Sequence, residues 1–98
     1  MIENFYSYQE LADGTVIAHS GLCREDKGYS FLVAIERHAT GSSAVCVVPF
    51  YTWPMVIGFS EDEIDLFSRF IHQNENDMYA SAKRGNPKNQ MSFNPSLK

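Results

Sequence analysis

The run Ser60-Glu61-Asp62-Glu63 constrains this chain more than any other segment, because it announces a long helix. Ser60 and Glu63 are spaced as a capping box: the hydroxyl accepts from the Glu63 amide and the carboxylate accepts from the Ser60 amide. Glu61, Asp62, Glu63 and Asp65 fall in the first turns, where the helix dipole favours negative charge. Lys83 and Arg84 sit at the far end, and Gly85 and Pro87 then stop the helix. A helix over 61–84 spans about 36 Å at ~1.5 Å per residue. The polar run Gln73-Asn74-Glu75-Asn76-Asp77 is where it would fray or break.

At about 100° per residue, Ile64, Phe67, Ile71, Met78 and Ala82 share one face, the expected core stripe. Leu66 and Phe70 lie roughly a quarter to a third of a turn away, with Phe59 aligned beside them. One sheet covers the first group more easily than both. The second group therefore either widens the buried face or meets a partner.

Upstream, the pattern changes to strands. Residues 4–11 alternate loosely and are rich in aromatics, which favours a strand, with a short helix as the alternative reading. Asp13-Gly14 reads as a hairpin turn. Residues 15–23 are β-prone but weakened by Gly21, and Arg24 to Gly28 reads as a charged turn. Residues 29–38 alternate cleanly, with Phe31, Val33 and Ile35 on one face. Residues 44–51 are apolar on both faces, as in a central strand. The expected fold is α+β: a three- or four-stranded antiparallel meander followed by one long C-terminal helix packed on the sheet.

With 98 residues the chain is one domain's worth. We expect a compact domain over 1–85. Residues 86–98, which hold Met91, Phe93 and Leu97 without periodicity, read as a flexible basic tail.

Charge divides the chain the same way. Residues 83–98 carry Lys83, Arg84, Lys88 and Lys98 and no acid, a balance of +4. Residues 1–82 carry all twelve acids and the other four cations, a balance of −8. An acidic body with a basic end disfavours a dedicated DNA binder. A solubilising terminus is the simpler account of the tail, and a phosphate-binding role for Lys83, Arg84 and Lys88 is the alternative.

Chemistry-bearing patterns are sparse. Cys23 and Cys46 are too few for a disulfide scaffold, and no zinc spacing occurs. His19 and Cys23 on one strand would stand about 13 Å apart, too far for one metal. His19 and the adjacent Ser20 point to opposite faces of a strand and cannot pair as base and nucleophile there. No phosphate loop, nucleophile elbow or dinucleotide glycine pattern occurs. We expect no metal, no cofactor and no enzyme; a small thiol-dependent enzyme using Cys23 beside Arg24 is the alternative. The chain shows neither a signal-peptide start nor an apolar run long enough for a membrane span, so a cytoplasmic setting with free thiols is expected.

The most unusual segment is Phe50-Tyr51-Thr52-Trp53-Pro54-Met55-Val56-Ile57-Gly58-Phe59, an almost wholly apolar connector before the helix. Loops are normally polar. This one either covers the core or presents Trp53 and Met55 to a partner. Together these features point to a small protein-binding module, regulatory or inhibitory in character. Trp53, Met55, Leu66 and Phe70 are its expected apolar anchors, and Asp62 and Asp65 would steer a basic partner. Open sheet edges and a small core also favour a homodimer. A nucleic-acid-associated factor is the second reading.

Overall fold

The computed structural model describes residues 5–26, 28–84 and 90–91. The chain forms β1 (Phe5–Glu10), β2 (Thr15–Ser20), β3 (Cys23–Glu25), β4 (Gly28–Arg37), β5 (Ser42–Val48), β6 (Thr52–Ile57), α1 (Glu61–Arg84) and β7 (Gln90–Met91). A single 3-10 turn, His38–Thr40, joins β4 to β5. The lateral order is β6-β5-β4-β2-β1-β7, with every pairing antiparallel. β2 and β3 lie end to end along β4, so the meander has five lanes rather than three or four.

The hairpins follow from local chemistry. At the β1–β2 turn Gly14 takes a φ of 86°, and its amide donates to the Leu11 carbonyl at 2.9 Å. Asp13 Oδ1 accepts from the Thr15 amide at 3.0 Å, the side chain standing in for a backbone turn. Gly21 does interrupt the next strand. There Ser20 Oγ accepts from the Leu32 amide at 2.9 Å, filling the gap that the break leaves in the ladder. Arg24 and Glu25, expected in a turn, instead pair with Tyr29 and Gly28.

The apolar connector departs furthest from expectation. Residues Thr52–Ile57 are not a lid or loop but an edge strand, β6. Met55 pairs with Val45 and Thr52 with Val47, so Trp53 and Pro54 together oppose Cys46 in a bulge. Proline reads as a strand breaker, yet an edge bulge asks it for no ladder hydrogen bond. Thr52, Trp53, Val56 and Ile57 supply the β preference around it.

α1 crosses one face of the sheet. Phe67, Ile71, Met78 and Ala82 are buried against Ile17, Val33, Ile35, Ala44, Cys46 and Val48. Ile64, the first residue of the expected stripe, is half-buried. Each large apolar side chain enclosed here contributes about 1.5–3 kcal/mol. The opposite face carries a second cluster of Phe5, Ala18 and Ala34, with Leu32 packed against it. The helix does not break at its polar run, because the sheet supplies partners. Tyr8 donates to Asp77 Oδ2 at 2.7 Å, and Tyr51 donates to Glu75 Oε1 at 2.8 Å. Within the tail, Gln90 and Met91 pair with Tyr6 and Phe5; the remainder of 86–98, including Lys88, lies outside the described residues.

Candidate functional site

The start of α1 is fixed by one cation. Glu63 Oε1 accepts from the Ser60 amide at 2.9 Å, and the Glu63 amide donates to Ser60 Oγ at 3.2 Å, completing the capping box. The second carboxylate oxygen accepts from Arg37 Nη1 at 2.9 Å. Arg37 also donates from Nε to Thr15 Oγ1 at 2.9 Å and pairs through Nη2 with Asp13 at 3.1 Å. Its guanidinium carbon stands 5.2 Å from the centre of the Phe59 ring. One side chain therefore joins the β1–β2 turn, β2, β4 and the helix cap. The Ser60 amide first, and Arg37 second, hold the Glu63 carboxyl below its ordinary range. Thr15 and then Arg37 do the same for Asp13.

Phe59 and Ile64 flank the cap as a hydrophobic staple. Together with Val56 of β6 they line a groove of about 480 Å³ whose remaining walls are Glu61, Asp62 and Asp65. Val56 is 40% exposed there, and Phe59 is nearly enclosed. Asp65 also lines the next groove along the helix, with Tyr51, Ser68, Arg69, His72 and Gln73. The two grooves thus share a wall and follow one flank of α1. Asp65 pairs with Arg69 at 3.7 Å, both side chains being well exposed, so the pair leaves the carboxylate accessible.

The expected anchor residues do not form one patch. Asp62 and Asp65 stand on the β6 flank of α1. Leu66, 58% exposed, and Phe70 stand on the other flank, in a groove with Leu11, Asp13, Arg37, Glu63 and Phe67. Consecutive helix residues differ by about 100°, which puts Asp65 and Leu66 on opposite sides of the helix crest. Trp53 is half-buried and packs against the core beneath the helix. Met55 sits beside Val45, on the sheet face turned away from α1. The floor residues Val56, Phe59 and Ile64 were not singled out from sequence as a site. The staple spacing around Ser60 is the signal that points to two of them.

The remaining candidates are dispersed. Cys23 is exposed on β3, and burial pushes the Cys46 thiol up to about 12. His72 is exposed, its ring 5.4 Å from that of Tyr51. His38 Nε2 lies 3.4 Å from Glu36 Oε1. His19 is fully buried, and sequence spacing gave no sign of its partner on the helix. Its Nδ1 donates to the Ser20 carbonyl at 2.9 Å, which leaves Nε2 to accept from Ser81 Oγ at 2.9 Å. Burial lowers the pKa of this imidazole, so the pair is a neutral tie between β2 and α1. Among the described residues no group of three or more His, Cys, Asp or Glu is placed to hold a metal. No helix there is long and apolar enough to cross a membrane. Lys83 and Arg84 are exposed in the last turn of α1.

Comparison with protein-family models, with curated proteins and with solved structures finds no match to this chain.

Proposed function

We propose that this chain is a small protein-binding module, regulatory or inhibitory in character, whose contact surface is the groove between α1 and β6. One observation carries the reading: exposed Val56 and half-buried Ile64, with the nearly enclosed Phe59 between them, line a groove beneath a rim of Glu61, Asp62 and Asp65. Apolar surface buries itself on contact, and a rim of one charge sign selects what approaches. The matching partner is an amphipathic segment with apolar anchors and flanking Lys or Arg.

Of the residues expected from sequence, Asp62 and Asp65 belong to this surface. Trp53 packs against the core beneath the helix and does not line the groove. Leu66 and Phe70 lie on the other flank and serve as internal controls. Affinity purification from the native host tests the reading. The native chain is expected to retain a partner that Val56→Asp and Asp65→Lys both lose, while Leu66→Ala keeps it. Equal recovery by all four proteins would contradict it.

A further inference from the structure

The end of the molecule opposite the helix cap has a different surface chemistry. Tyr29 opens β4 and is 42% exposed; Tyr79 of α1 is 36% exposed. Their rings stand 6.5 Å apart at an interplanar angle of 65°. They wall a notch of about 170 Å³ with Phe31, Val48, Pro49 and Glu75. Next to Pro49, Phe50 is 64% exposed at the tip of the β5–β6 turn. Three of the six exposed large apolar side chains among the described residues therefore gather at one end.

Two exposed cations stand at that end, although the β3–β4 turn beside Tyr29 also carries Glu25 and Asp26. Lys83 lies one helical turn beyond Tyr79, and Arg84 follows it. Neither forms an ion pair among the described residues. The chain continues from there with Lys88 and Lys98 and no acid. Glu75 is the one carboxylate in the notch wall, and it accepts from the Tyr51 hydroxyl. The notch is too small for a drug-sized ligand, which needs roughly 300 Å³ or more. It admits the edge of a flat ring.

Exposed aromatic faces beside unpaired cations are the two elements that hold single strands. Bases stack on the rings without regard to sequence, and the cations track the phosphates. We propose that this end of the molecule binds single-stranded nucleic acid, with Phe50 and Tyr79 as stacking faces and Lys83 and Arg84 as phosphate contacts. Lys83 and Arg84 favour this occupant over an apolar peptide, which would leave both cations unused. The surface is separate from the α1–β6 groove and does not depend on it.

Fluorescence anisotropy of the full chain with a labelled oligothymidylate at low salt tests the proposal, with inorganic polyphosphate as a baseless competitor. Saturable binding is expected, tighter than the roughly 1–100 µM range that sequence-independent contacts reach at physiological salt. Phe50→Ala or Tyr79→Ala should weaken it about 5- to 150-fold for each stack lost, without changing the salt slope. Lys83→Gln or Arg84→Gln should each reduce the slope of log K against log salt by about 0.7. Phe50 and Lys83 are exposed, so those two variants should keep the native melting temperature. No saturable binding at low salt would overturn the proposal. So would binding that Phe50→Ala and Tyr79→Ala leave intact, or displacement by polyphosphate as effective per charge as by oligonucleotide.

Discussion

Arg37 and Glu63 meet at 2.9 Å, and the Glu63 carboxylate that receives the guanidinium also accepts the Ser60 amide. The long strand β4 thereby holds the helix cap, and the cap in turn sets the position of Phe59, Ile64 and the acidic rim. Ser60→Ala removes one half of this arrangement. It should cost about 1 kcal/mol, as N-cap truncations do. That corresponds to a loss of roughly 4–8 °C in Tm for a domain of this size. Arg37→Met should lower Tm further, because Thr15, Asp13 and Glu63 all lose a partner. In a double-mutant cycle, Arg37→Met and Glu63→Gln should be clearly non-additive in thermal melts, since the two residues share one network.

Burial sets the pH response through His19. Its folded pKa lies below the ordinary value, so the imidazole is neutral in both states above about pH 6.5. Below that, the unfolded chain takes up a proton that the folded chain refuses until its own lower pKa is reached. Stability should therefore be constant near neutrality and fall as the pH drops from about 6.5. The carboxylates Asp13 and Glu63, whose pKa values are also lowered, add a separate loss at more acid pH, as each is forced to protonate. Thermal melts between about pH 7.5 and 5 should show the first loss in the native chain and not in His19→Gln.

Ser81→Ala tests the same tie from the helix side. It leaves Nε2 of a fully buried imidazole without its hydroxyl donor, at a cost of about 1–3 kcal/mol. Chemical denaturation should show this as a lower midpoint with an unchanged slope.

Gly58 links β6 to the cap with a φ of 80°. A Cβ added there would stand 2.6 Å from Ser42 Oγ and 3.3 Å from Ser42 Cα. Gly58→Ala should therefore be destabilising by about 1–3 kcal/mol, from both backbone strain and the clash. Because Phe59 is the next residue, the amide signals of Phe59 and Ile64 should move in an NMR spectrum of the variant. Unchanged stability would show that this junction does not set the groove.

Much of the fold is legible in the sequence because it rests on local periodicity. The α1 stripe and its cap, the alternation of Phe31, Val33 and Ile35, and the Asp13-Gly14 turn are all short-range signals. β6 is not legible, because Pro54 breaks the local pattern and only its position at an edge bulge makes it tolerable. β7 consists of two residues, too short for any period. The site is legible in part. Asp62 and Asp65 stand out as acids near a cap. A helical wheel gives the angle between Asp65 and Leu66, but not which sheet edge each flank faces. That depends on pairings far apart in sequence, such as Tyr8 with Asp77 and Tyr51 with Glu75.

If the α1–β6 groove takes a basic amphipathic segment, such a segment should bind it in isolation. The most direct measurement is an NMR titration of the isotope-labelled chain with a synthetic helical peptide that alternates Leu and Lys faces. Saturable shifts are expected at Val56, Ile64, Asp65 and Ser68. Asp62→Lys/Asp65→Lys should weaken the affinity about 10-fold or more, while Leu66→Ala has no effect. Shifts that map to Leu11, Leu66 and Phe70 instead, or no saturable shifts at all, would contradict it.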